Sequence, residues 1–156
     1  MELTLKSLFE PLDITIDTGR GTRTVSAEVD VRPTSLARLS RICIDAGNKM
    51  GAIEALSRKG RDERNPEAVA KSNDQTGAIL REVLSEAIGP DVYEEVLAAC
   101  GNGRPMTDGD CTPVTSQVFH MVLDIVKART DKMGEKAAHY LPEESHAQTE
   151  PDAAAQ

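Results

Sequence analysis

Leu12–Val31 reads LDITIDTGRGTRTVSAEVDV, and a helical stripe follows it almost at once. Leu12, Ile14 and Ile16 alternate with Asp13, Thr15 and Asp17, a period of two that places the aliphatic side chains on one strand face. Val25, Ala27, Val29 and Val31 alternate with Thr24, Ser26, Glu28 and Asp30 in the same way. Between the two runs, Thr18-Gly19-Arg20-Gly21-Thr22 supplies turn-forming residues. The stretch therefore predicts an antiparallel hairpin over residues 12–31 with a five-residue loop. A lone two-stranded hairpin is marginal in water. It must lie on helices, gain a third strand from residues 2–6, or pair with another chain. Residues 1–11, with Leu3, Leu5, Leu8 and Phe9, predict a short strand or extended lead-in that Pro11 stops.

Working outward, Pro33 ends the hairpin and Thr34 or Ser35 is expected to cap a helix. Leu36, Leu39, Cys43, Ala46, Met50 and Ile53 form an a/d stripe along it. Gly47 and Gly51 interrupt it, which predicts either close approach of a neighbouring backbone or a break near residue 47. Arg58–Asn65, RKGRDERN, has no apolar anchor and predicts an exposed, mobile linker. Asn73 or Asp74 is expected to cap a second helix bearing Ile79, Leu80, Val83, Leu84, Ala87 and Ile88. Gly89 closes it, and Pro90 with Asp91 opens a short third helix carrying Val92, Tyr93, Val96 and Leu97 to its end at Gly101. After a loop, Thr112 and Pro113 start a last helix with Val114, Val118, Met121, Val122, Ile125 and Val126.

The fold class expected is thus α+β, mainly helical, as one domain over residues 1–140. Its helices fall at about 34–57, 74–88, 90–100 and 112–133. Residues 141–156, rich in Pro and acids, predict a disordered acidic tail. Aromatic residues make up only 3% of the chain and Trp is absent, so the core must be aliphatic.

The formal net charge of −8 opposes nucleic-acid binding, which needs Lys and Arg to displace counterions. The charge is uneven: residues 34–64 carry seven basic and four acidic side chains, and residues 65–111 carry three basic and nine acidic. Such a dipolar chain can meet partners, or copies of itself, head to tail. No run of about 20 apolar residues offers a membrane span. The three cysteines, an odd number, and the lack of a signal peptide predict a cytoplasmic protein.

No constellation for catalysis or cofactor binding emerges, and neither an enzyme nor a metal or cofactor site is expected. Cys100, Cys111 and His120 lack the tight C-x₂₋₄-C pair of structural zinc sites. Asp108-Gly109-Asp110 lacks the Glu that ends a calcium loop, and reads as a polar turn. Gly101-Asn102-Gly103 follows a helix rather than a strand, so it is a helix cap and not a phosphate cradle. Glu94 and Glu95 are adjacent on a helix and do not share a face.

Residues 77–127 run helix, Ile88-Gly89-Pro90, short helix with Tyr93, gap, closing helix. In this they resemble the tail assembly chaperones and related small tail proteins of long-tailed bacteriophages. The order of hairpin, long helix, linker, helix pair and closing helix extends the resemblance over the folded part. The resemblance implies a non-enzymatic factor of the host cytoplasm that binds tape-measure and tail-tube proteins during virion assembly. The expected contact is a groove between helices 34–56 and 112–130, offering Leu36, Leu39, Met50, Ile53, Val118, Met121 and Ile125 to a partner helix. The alternative is a small helical regulatory or antitoxin-like protein, with Arg38, Arg41, Lys49, Arg58, Lys59, Arg61 and Arg64 on nucleic acid.

Overall fold

The computed structural model of the chain describes residues 2–3 and 7–140, with side chains as far as Lys132. A two-stranded antiparallel sheet, β1 (Phe9–Asp17) and β2 (Thr22–Asp30), precedes four helices: α1 (Pro33–Asp62), α2 (Pro66–Ile88), α3 (Pro90–Gly101) and α4 (Thr112–Tyr140). The expected class, a hairpin followed by four helices, is the one observed. The acidic tail at 141–156 and most of the possible third strand at 2–6 lie outside the described residues.

The hairpin pairs Leu12 with Ala27, Ile14 with Val25 and Ile16 with Arg23. Leu12, Ile14, Ile16, Val25, Ala27, Val29 and Val31 are all buried against the helices, as their alternation predicts. β1 starts earlier than expected and runs through Pro11. Val31 N–H donates to the Leu8 carbonyl at 3.0 Å, and Thr18 N–H to Gly21 at 3.0 Å. The ladder therefore bonds at the even positions of β1, and Pro11 falls at a position whose nitrogen faces away from β2. Proline loses nothing there.

Asp30 turns the chain from β2 into α1. Its carboxylate accepts from the Arg32 guanidinium at 2.9 and 2.7 Å and from the Ser35 hydroxyl at 2.8 Å. The Arg32 guanidinium holds this carboxyl well below the usual carboxylate range. Ser35 is thus occupied by Asp30, and neither it nor Thr34 caps the helix. The cap position is Arg32, with Pro33 in the first turn, where its missing N–H costs nothing.

The mobile linker expected at Arg58–Asn65 is helix as far as Asp62 and a three-residue turn beyond it. α1 continues to Asp62, the turn is short, and α2 begins at Pro66 rather than near 74, with Asn65 Oδ1 accepting from Ala68 N–H at 3.1 Å. Two features explain it. The charges pair along the helix, Arg58 with Glu54 at 3.6 Å and Arg61 with Glu54 at 3.0 Å. The a/d stripe also continues after Ile53 as Ser57 and Gly60, both buried. These are small residues because α1 and α2 converge there: a Cβ on Gly60 would stand 3.2 Å from that of Ala68.

Gly47 and Gly51 neither break α1 nor admit a neighbour, for a Cβ at either meets nothing within 4 Å. Each weakens the helix without a packing return. Gly47→Ala and Gly51→Ala should therefore each raise stability by roughly 0.5–1 kcal/mol in urea denaturation. A loss at either position would contradict the open surface.

Gly89, at φ 95°, separates α2 from α3 as expected. The core gathers Leu36, Leu39, Cys43, Ala46, Leu80, Leu84, Tyr93, Val96, Val122 and Val126 under the hairpin. Among the described residues, two long-range side-chain hydrogen bonds add to the apolar packing that ties the hairpin to the helices. Asn102 donates to the Thr18 carbonyl at 2.7 Å, and Arg129 of α4 pairs with Glu10 of β1.

Candidate functional site

The loop between α3 and α4 is held by polar groups that no sequence motif announced. Arg81 of α2 donates from Nε to both Asp108 carboxylate oxygens, at 2.9 and 2.8 Å, and from Nη1 to Glu94 at 2.7 Å. Tyr93, fully buried, donates its hydroxyl to Asp108 Oδ1 at 2.9 Å, and the Arg81 guanidinium stacks 4.8 Å above its ring. Burial, with the Asp108 bond next, pushes the Tyr93 phenol well above its ordinary range. The two carboxylates push Arg81 further up from an already high value. Asp108-Gly109-Asp110 is the polar turn expected: Asp110 accepts from Thr107 N–H at 3.1 Å and donates its own N–H to Thr107 Oγ1 at 3.2 Å. One signal existed, since Arg81 is the only basic residue between Lys71 and Arg104.

A concavity of about 650 Å³ lies elsewhere, between the outward face of the hairpin and the corner joining α2 to α3. Four carboxylates line it: Asp13, Glu28, Asp30 and Glu86. Its apolar lining comes from Phe9, Pro11, Ala87, Ile88 and Val92. The strand alternation that buries Leu12 and Ala27 necessarily turns Asp13 and Glu28 outward into this trough. Phe9 and Leu8 at its end are exposed, and the Arg32 guanidinium stacks 5.7 Å from the Phe9 ring. The trough is complementary to a cationic segment that also carries an apolar side chain. Asp30 is paired with Arg32 and Glu86 with Arg38, so among the described residues Asp13 and Glu28 are the carboxylates of the lining that carry no ion pair.

The groove expected between α1 and α4 is largely filled. Leu36, Leu39 and Val118 are buried in the core that the two helices share with α2 and the hairpin, so they cannot meet a partner in the folded protein. The physical reason is that the hairpin needs a cover for seven inward side chains, and these helices supply it. Met50, Ile53 and Ile125 are half-buried, and Met121 is 39% exposed. Ile53 borders a smaller recess of about 220 Å³ with Ser57, Ser72, Thr112 and Pro113. Phe119, which the expected stripe omitted, is buried.

Of the basic side chains that would touch nucleic acid, Arg38, Lys49, Arg58, Lys59 and Arg61 all sit in ion pairs, with Glu86, Asp45, Glu54, Glu63 and Glu54 respectively. Cys111 is buried and Cys100 half-buried, whereas His120 is exposed. Among the described residues, no three His, Cys, Asp or Glu side chains gather as metal ligands, and no helix is long and apolar enough to cross a membrane.

Comparison with known protein families, with curated proteins and with solved structures finds no match to this chain.

Proposed function

We propose that this chain is a non-enzymatic assembly factor of the phage tail chaperone kind, which holds tape-measure or tail-tube subunits in the host cytoplasm until the tail forms. The observation that supports this reading is the trough of about 650 Å³, in which the exposed carboxylates Asp13 and Glu28 stand over an apolar wall beside exposed Phe9. It is built by the hairpin and the α2–α3 corner, and that corner includes the Ile88-Gly89-Pro90 turn on which the sequence resemblance rests. A cationic amphipathic segment of a tail protein would seat its apolar side chains on Ile88 and Val92 and its Lys or Arg on Asp13 and Glu28. Met121 and the half-buried Met50 and Ile53 offer a second, apolar contact on α1 and α4.

Co-expression with tape-measure and tail-tube proteins encoded beside it should yield a complex on affinity purification. Asp13→Lys combined with Glu28→Lys reverses the charge on two exposed positions and should weaken that complex at least tenfold without lowering the melting temperature. Added salt should weaken the wild-type complex, since exposed charges are screened within about 8 Å at physiological ionic strength. Absence of any complex, or one indifferent to both changes, would overturn the reading.

A further inference from the structure

The hairpin carries opposite charges at its two ends. At the open end, Asp13 and Glu28 stand exposed over the apolar wall that Pro11, Ile88 and Val92 give the trough. At the closed end, Arg20 of the turn and Arg104 of the α3–α4 loop line a second concavity of about 440 Å³, whose lining holds no carboxylate. Arg23 follows on β2. Among the described residues, none of these three arginines is in an ion pair. The tip is held in place: Asn102 donates to the Thr18 carbonyl at 2.7 Å, and Thr18 N–H donates to the Gly21 carbonyl at 3.0 Å. Its acidic neighbour Asp17 is occupied, accepting from Gly19 N–H at 2.8 Å. A chain of net charge −8 thus presents a fixed cationic tip on the same hairpin as an anionic trough.

Between the two ends the outward face is neutral. Thr15, Thr22, Thr24 and Ser26 are exposed there, and the Thr15 and Thr24 hydroxyls meet across the ladder at 3.3 Å. From Asp13 to Arg20 the extended chain covers roughly 20 Å.

We propose that the trough takes the hairpin tip of a second copy of this chain, the two copies meeting outward face to outward face with their hairpins antiparallel. A two-fold axis near the Thr15–Thr24 pair then sets each tip on the other copy's trough, so both contacts form together and the assembly closes as a dimer. The aliphatic stem of Arg20 lies along Ile88 and Val92 while its guanidinium reaches Asp13 and Glu28. Small hydroxyl side chains at the axis let the two sheets approach. The face is nine residues long and two strands wide, on the order of 300 Å². That is well under the roughly 800 Å² per partner of a stable complex, so the pair is weak and forms at high protein concentration. A second copy in the trough excludes any other occupant. Competition with a tail protein rests on the function proposed above, whereas the pairing itself needs only this chain.

The full-length protein is followed by sedimentation from micromolar to submillimolar concentration. Its mass should rise toward that of two chains and stop there. Asp13→Lys with Glu28→Lys spoils the trough, and Arg20→Glu with Arg104→Glu spoils the tip. Each double variant alone should pair at least tenfold more weakly than wild type while staying folded by circular dichroism. An equal mixture of the two should pair again, because each supplies the charge that the other has lost. A single Arg20→Lys variant gives a readout that does not depend on charge reversal. A zero-length carbodiimide should join its new amine to Asp13 or Glu28, and the distance along one hairpin restricts that link to two-chain species. A wild type that stays monomeric at every concentration, growth past two chains, variants that pair undiminished, a mixture that stays monomeric, or a carbodiimide link that avoids Asp13 and Glu28 overturns the proposal. All of these use the purified chain alone, so their failure leaves the complex with tail proteins to its own test.

Discussion

Gly77→Val should cost about 3 kcal/mol or more and lower the melting temperature by roughly 6–12 °C, as read by circular dichroism. Gly77 lies inside α2 and is buried against the loop that follows α3. A Cβ there would sit 2.6 Å from the Asp108 carbonyl carbon and the Gly109 nitrogen, and 2.8 Å from the Asp108 oxygen. All three are backbone atoms and cannot rotate aside. Gly109 answers from the other side, since a Cβ on it would collide with Asp74. The two glycines face one another's segments, and a side chain on Gly77 must push the loop off the helix, whereas one on Gly109 meets chiefly the Asp74 carboxylate. Helix propensity alone would favour valine, since glycine is the poorer helix former, so the whole cost comes from the clash. Gly77→Ala already carries the offending atom, so it should also destabilise, while alanine at Gly47 and Gly51 stabilises. The three positions are one residue type in helix interiors, and only packing distinguishes them. A Gly77→Ala chain as stable as the wild type would mean that the loop does not lie where these distances put it.

Asp108→Ala should cost roughly 2–4 kcal/mol in urea denaturation. It removes the acceptor of a phenol with no exposure and takes two of the three hydrogen bonds from Arg81. Arg81 keeps Glu94 and is 43% exposed, so water replaces part of its loss, and most of the cost falls on Tyr93. Tyr93→Phe should cost only about 1 kcal/mol, since it removes the donor without stranding a buried partner. The double variant should cost less than the sum of the two, because both remove the same bond. The phenol also sets an alkaline limit. Its folded pKa is raised above the ordinary 10.0, so the folded state favours the protonated form. That stability is whole below 10.0 and is lost as pH climbs from there toward the folded value. Tyr93→Phe should flatten this alkaline decline, and an unchanged slope in the variant would assign it to another group.

Periodicity carried most of the architecture. The inward residues of the hairpin follow from alternation alone, and Gly89-Pro90 marks the α2–α3 boundary because each residue has a local backbone reason to be there. What failed was local in appearance and tertiary in cause. Arg58–Asp62 has the composition of a linker, yet its Gly60, with Ser57 just before it, completes a stripe, and the neighbours of Gly60, Ala68 and Val69, come after the turn. Small residues at core positions carry no hydropathy signal, so the register alone could have found them. Leu36, Leu39 and Val118 show the converse error. An apolar stripe states that a face is covered but not by what, and here the cover is the protein itself. The trough was legible only as the polar half of the strand pattern, because Glu86 and Val92 reach it through the fold.

The bond from Asn102 to Thr18 spans 84 residues, and the pair of Arg129 with Glu10 spans 119. Ribosomes deliver the ends of these contacts in order, hairpin first. Val118 and Val126 leave the exit tunnel about 100 residues behind Ile16, roughly 5–20 s later at ordinary rates of translation. Over that interval α2 and α3 emerge first and supply the earlier cover for the hairpin's greasy side, while the strap from α4 to Glu10 is still missing.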